Sequence, residues 1–339
     1  MSSPALPATS GVSNFNPRAI EIITAAFQIM AVIDASEVPD DTMVRQGIEV
    51  LSAMMKELEA TGYHVWTEEE GILFLQQNQI RYLLGPAPDG TPSPDHCADA
   101  EDYALTTLEE SAIAGNASVI VADPTGIEAG DYFGIVTNDG SAFWTRVKAA
   151  PTGPVLQLVD ALTGDSNAGN FVFAYTTNIE RPLRIPFCRR LQYAVGNNAQ
   201  GNIITPLVPM MSRSQYFDLP EPRTPGTVTQ AYYDPARDQG KLYVWNAPGN
   251  ANFGLRFTWY RPLLVFTSTD DTADLPQEWG NALKWNLARE LMLRYQVGAQ
   301  RAQIINQTAT AKLELVMGWD REDTSVYFGR NSPRTRGGR

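Results

Sequence analysis

The stretch LPQEWGNALKWNLARELM, residues 275–292, decides how the rest of the chain is read. Leu283, Leu287 and Leu291 recur at i, i+4 and i+8, and Trp279, Ala282, Trp285 and Ala288 widen the stripe, so the spacing predicts an amphipathic helix. Pro276 fits the first turn of such a helix, where a missing N–H is tolerated. The acidic run Asp270, Asp271 and Asp274 precedes it. A helix of this kind needs a partner for its apolar face, and the best match lies near the other end of the chain, in residues 17–61.

There Ile20, Ile23, Ala26, Phe27 and Met30 follow helical spacing, with Asn16 placed as N-cap and Pro17 at the first helical position. This helix is expected to end near Ile33. After a link over 34–39, Met43, Ile48, Leu51, Met54, Met55 and Leu58 form a second apolar face that stops at Gly62. So short a link predicts a helical hairpin. A last helix over 299–317 carries Ile304, Ala311, Leu315 and Gly318 on a discontinuous stripe.

Between these helices the texture is different. A short strand is expected at Val65 and Trp66 and another over 71–75. Over 109–180, β-rich runs alternate with Gly, Asp, Asn and Pro turns, and Asp139-Gly140 suits a hairpin turn. A small antiparallel barrel or sandwich is expected there. Strands are also expected over 181–185, 227–233 and 263–266, and 241–245 is expected to pair with 255–260. The fold class that follows is α+β: an antiparallel-helix bundle from both chain ends carrying a β domain, with an inserted small antiparallel β barrel or sandwich. The expected division is a flexible arm (1–16), a body of helices and β platform (17–94 and 181–320), the inserted β module (95–180) and a tail (321–339).

With 339 residues, 43% hydrophobic and 19% charged, the chain has ample material for a core. No run approaches the roughly 18 apolar residues of a membrane span, and no basic-then-apolar leader opens the sequence. A soluble protein without membrane contact is therefore expected. The formal net charge of −12 argues against a general nucleic-acid binder, which needs a basic footprint. An acidic surface suits either ordinary solubility or a wall past which DNA slides without sticking.

Little in the sequence nominates chemistry. GxSxG, Walker A, HExxH and CxxC are absent. Two cysteines, Cys97 and Cys188, and two histidines, His64 and His96, do not make a disulfide framework or a metal site. The triplet Asp95-His96-Cys97 is read as loop in preference to metal ligand, and no cofactor is expected. The pairs and runs Glu68-Glu69-Glu70, Glu109-Glu110 and Asp270-Asp271 could serve a hydrolase as paired carboxylates. Such runs more often mark a solvated face. Aromatic residues over 243–260 could stack sugars or bases, although alternation on a half-buried strand favours core. The tail holds Arg330, Arg334, Arg336 and Arg339 with no acid among them, which fits a solubilising end or a peptide that orders on an acidic partner.

The series RPLRI (181–185), PLVPMMSRSQYFDLP (206–220), AYYDP (231–235), KLYVWNAP (241–248), LRFTWYRPL (255–263) and DLPQEWGNALKWNLA (274–288) resembles the head-to-tail adaptor proteins of tailed bacteriophages, especially short-tailed ones. The helical hairpin followed by FLQQNQIRYLLGP (74–86) is similar to the opening of the same family. The resemblance implies a non-enzymatic virion protein assembled in the host cytoplasm: a homo-oligomeric ring, commonly of twelve copies, bound beneath the portal protein. Such a ring lengthens the DNA channel, which passes DNA without sequence-specific binding, and offers a platform to the tail nozzle and to a tail fibre or spike. By the same resemblance Arg330, Arg334, Arg336 and Arg339 would contact the portal. The polar face of the 275–292 helix, with Lys284, Arg289 and Glu290, is the expected subunit contact. A tail nozzle or tube ring is the nearest alternative, and a tail-associated carbohydrate-active hydrolase is the alternative from another class.

Overall fold

The computed structural model describes residues 15–62, 65–193, 203–221 and 223–319. In chain order the first elements are α1 (Ala19–Met30), α2 (Asp41–Thr61), a 3-10 turn (Val65–Thr67), β1 (Glu68–Phe74), β2 (Arg81–Leu84) and β3 (Cys97–Asp99). Then come β4 (Ala104–Thr107), β5 (Ser118–Ile120), β6 (Tyr132–Val136), β7 (Ala142–Arg146), β8 (Val155–Gln157) and β9 (Phe171–Tyr175). They are followed by β10 (Arg184–Gln192), β11 (Ile203–Leu207), α3 (Arg213–Phe217), β12 (Pro225–Gly226), β13 (Gln230–Asp234), β14 (Gly240–Trp245), β15 (Ala247–Pro248) and β16 (Phe253–Tyr260). A second 3-10 turn (Gln277–Trp279), α4 (Gly280–Leu291) and α5 (Ala299–Trp319) close the series.

This order corrects the expected architecture. Five α-helices stand against sixteen strands among the described residues, and the strands form several small sheets with no closed barrel. The chain is therefore a mainly β protein, not a helical bundle from both ends that carries an inserted domain. Helical periodicity is a loud signal in sequence, whereas strands of three to five residues are quiet, and the reading gave the helices a weight that the fold does not. By internal packing the chain divides into one unit of Met1–Trp66 with Leu263–Arg339 and a second of Thr67–Pro262.

In the first unit, α1, α2, α4 and α5 share one core. Ile22, Ile23 and Phe27 meet Leu51 and Met55, Leu283, Leu287 and Leu291, and Ile305. Helix α1 starts later than Asn16 and Pro17 suggest: Arg18 is its N-cap, with its backbone N–H donating to the Glu21 carboxylate at 3.2 Å. It ends at Ala31, whose φ of 53° makes a left-handed stop. Asp40 caps α2 by accepting from the Met43 N–H at 2.8 Å. Gly47 lies inside α2, where glycine is a poor helix former, and a Cβ there would come within 2.8 Å of the Ile23 side chain. The expected strand over 263–266 is absent. Leu263 and Phe266 enter the helical core, and α2 takes up their backbone groups: Lys56 Nζ donates to Leu263 O at 2.9 Å, Ser52 Oγ to Phe266 O at 2.9 Å, and Leu263 N–H to Glu59 at 3.0 Å. Trp66, also expected in a strand, lies in the 3-10 turn and meets Trp279 edge-on at 5.4 Å.

The second unit is built around a five-stranded sheet in the order β11-β10-β16-β1-β3. The expected pairing of 241–245 with 255–260 does not occur. Strand β16 is flanked along almost its whole length by β1 and β10, while β14 pairs with β13 and β2. Eight residues of β16 find longer partners there than the six-residue β14 offers, which overrides the usual pairing of strands adjacent in sequence. Strand β1 is buried on both faces: Leu73 faces a core with Tyr82, Leu84, Leu242 and Phe257, and Ile72 and Phe74 face another with Phe173, Tyr175 and Tyr193. The 104–175 region is a four-stranded sheet, β4-β9-β6-β7, and the β5-β8 pair around a third core. As expected, Asp139-Gly140 turns β6 into β7, with Gly140 at φ 87°.

Candidate interaction surfaces

The three residues expected on the polar face of α4 have distinct surroundings. Lys284 holds its ammonium 5.1 Å from the centroid of the Phe15 ring, a cation–π contact. Arg289 pairs with Glu290 at 3.3 Å, both partly exposed. Arg289 also lines a cavity of about 160 Å³ together with Met54, Leu58, Leu283, Asn286 and Leu313. Glu57 stands at this cavity and also at an adjoining recess with Glu49, Glu290 and Arg294. Glu49 and Glu57 have no ion pair among the described residues.

Asn286 is the residue that sequence reasoning passed over. It is 4% exposed, and its amide nitrogen donates to Ala282 O at 2.8 Å and Ala309 O at 3.3 Å, which ties α4 to α5. Its Oδ1 is left without a partner. A buried acceptor with no donor costs about 1–3 kcal/mol. The signal was present in LKWNLA: an asparagine three residues after Leu283 sits in the apolar stripe.

Helix α5 turns away from solvent a different face from the one expected. Ile304, Ala311, Leu315 and Gly318 are exposed, with Leu315 at 74%, and Ile305, Ala309 and Val316 are the buried set.

In the β unit two acids of the Glu68–Glu70 run are engaged in structure. Glu70 pairs with Arg256 across the β1–β16 ladder, and Glu69 pairs with Arg261 at 2.8 Å. In the helical unit Asp270 pairs with Arg18 at 3.1 Å, and Asp271 accepts from the Thr267 and Ser268 N–H groups at 2.7 Å each, which holds its carboxyl below the usual range. Glu109 and Glu110 are exposed.

His96 is stacked on Trp144 with ring centroids 3.8 Å apart, and its Nδ1 lies 2.7 Å from the Tyr175 hydroxyl. That hydroxyl donates to Asn178 Oδ1 at 2.8 Å, so the imidazole proton sits on Nδ1 and donates to the tyrosine oxygen. Burial, with the nearby Arg146 charge, pushes the imidazole down to about 3. Cys97 beside it is fully buried, as is Cys188, whose thiol burial pushes up to about 12. The described residues hold no cluster of three or more His, Cys, Asp or Glu placed for a metal ion, and no helix long and apolar enough to cross a membrane.

The aromatic residues near 243–260 divide by strand face. Phe257 and Trp259 are core, while Tyr243 stacks on Tyr232 at 5.7 Å beside the exposed Phe217 and Arg213. His64, most of the arm, and Arg330, Arg334, Arg336 and Arg339 lie outside the described residues.

No curated protein matches the sequence. Among solved structures, a match is to the Gp54 tailspike of Acinetobacter baumannii bacteriophage AP22 in complex with A. baumannii capsular saccharide, at 16% identity and a TM-score of 0.21. It takes in 23% of this chain and only 15% of that chain. The family described as SU10 adaptor protein matches residues 141–335, which is more than half of the chain and runs from β7 through α4 and α5. On that match the chain belongs to the SU10 adaptor protein family and is a phage structural protein of the adaptor type.

Proposed function

We propose that the chain is a non-enzymatic head-to-tail adaptor of a short-tailed phage, located in the virion at the junction of head and tail. In this reading twelve copies form a ring under the portal protein, extend the DNA channel, and carry the tail nozzle and a fibre or spike. Family membership over residues 141–335 is the observation that carries the reading. The net charge of −12 supports a channel through which DNA moves without being held. The 104–175 region, with exposed Ile113 and Val159, is the part offered to the fibre or spike.

Lys284, Arg289 and Glu290 are assigned to subunit contacts, and the arginine tail to the portal. Negative-stain images of the purified protein with and without purified portal test this: rings seated on the portal are expected, and no binding overturns it. Binding only to a portal that already carries another adaptor would favour the tail-nozzle alternative. Within the ring, Glu290→Arg is expected to weaken subunit association at least tenfold by sedimentation, since it reverses a charge on the face assigned to the subunit contact.

A further inference from the structure

Helix α5 has two apolar lines, and its own chain covers one of them. Ile305, Ala309 and Val316 are buried. Ile304, Thr308, Ala311, Leu315 and Gly318 follow a 4-3-4-3 spacing that holds them on a separate line, with Thr308 half-buried and the other four exposed, Ile304 at 53% and Leu315 at 74%. A repeat of this kind is the seam along which one helix packs on another. Arg301 and Lys312 share one flank of the line, each a turn before an aliphatic residue, and Glu314 stands on the opposite flank. Arg301 donates to Ile29 O at 3.3 Å, and neither cation has an ion pair among the described residues.

The recess between α2 and α4 has the complementary properties. Its volume of about 170 Å³ is close to the roughly 150 Å³ opened when one core leucine is cut to alanine, so it takes one aliphatic side chain. Val50, Ala53 and Met54 give it an apolar floor, and its rim holds Glu49, Glu57 and Glu290 against one cation, Arg294. Even with Glu290 paired to Arg289, the two remaining acids outnumber Arg294.

We infer that Leu315 of one copy seats in the α2–α4 recess of the next copy, with Lys312 over Glu49 and Glu57. The line through Leu315 faces away from α4, so a copy cannot fill its own recess. Knob and recess lie on different faces, which makes the contact head-to-tail and repeatable around an axis. The inference rests on the ring reading and deepens it by naming the two faces that meet, and Glu290, already assigned to subunit contacts, stands on the recess rim.

Cysteine pairing in the purified full-length protein, without portal, tests it. Cys97 and Cys188 are buried and stay silent. Leu315→Cys protein mixed with size-tagged Ala53→Cys protein is expected, on oxidation, to give mixed dimers at least tenfold above the dimers of either variant alone. A predominant Leu315→Cys homodimer would set α5 against α5 and overturn the proposal, as would the absence of mixed dimers. By sedimentation, Lys312→Glu and Glu57→Lys should each weaken self-association about tenfold, and the double variant should recover most of the loss. A double variant no better than the single ones overturns the charge pairing. Leu315→Glu, at a site exposed in the single chain, should abolish association, and unchanged association in that variant overturns the seating of Leu315. Portal binding is read separately: mixed dimers without portal binding sink the adaptor reading alone, and rings on the portal without mixed dimers sink this contact alone.

Discussion

At the residue scale, His96 shows how a titratable side chain can be committed to packing. Burial beneath Trp144 and Tyr175, with the Arg146 charge nearby, disfavours the imidazolium and pushes the group down to about 3 in the folded protein, against about 6.5 when unfolded. Between those values the unfolded chain binds a proton that the folded chain refuses. Stability is therefore expected to be full above pH 6.5 and to fall as pH drops toward 3, by about 1.4 kcal/mol for each unit crossed. Urea unfolding at pH 7 and pH 4.5 checks this. His96→Phe, which keeps a ring against Trp144, should make the difference between the two pH values smaller. The sequence showed His96 only as part of a polar triplet in a Pro-rich stretch, because the rings that surround it, Tyr132, Trp144 and Tyr175, come from residues 36 to 79 positions later.

At the scale of elements, both α4 and α5 were legible as helices from the sequence, but only in α4 did the spacing also give the buried face. Leu287 is fully buried in α4, and Leu287→Ala is expected to cost about 2–5 kcal/mol, read as a lower urea midpoint. Leu315 in α5 is exposed, and Leu315→Glu should change stability by no more than about 0.5 kcal/mol. The contrast has a physical origin. Apolar residues lie on more than one side of α5, so the stripe through Ile304, Ala311 and Leu315 competes with the one through Ile305, Ala309 and Val316. Contact with α4, including the Asn286 bond to the Ala309 carbonyl, decides between them, and that contact is not written in α5 alone. Strand pairing failed for the same reason: β16 could be located from its alternation, but its partners, β1 and β10, are distant in the chain.

At the scale of the whole molecule, acidity is the property with the most direct consequence. A chain of net charge −12 is expected to give no shift of double-stranded DNA in a gel assay at about 0.1 M salt, even at micromolar protein. A shift would argue against a smooth acidic channel. The order of the motifs led to the adaptor family, whose match then spans 141–335, while composition alone led only to a folded acidic protein. The proportion of helix to sheet was misjudged because the strands are short and their partners remote.

Strand β1 places neighbouring side chains in two separate cores, Leu73 in one and Ile72 with Phe74 in the other. Phe74 alone meets Tyr103, Trp144, Phe173, Tyr175 and Tyr193. The 104–175 sheets are thus no portable cassette. Grafted elsewhere without β1 and Tyr193, they would carry a bare aromatic floor, and because β1 and β10 are in turn paired with β16, any exchange of this part between related phages has to move the whole of Thr67–Pro262.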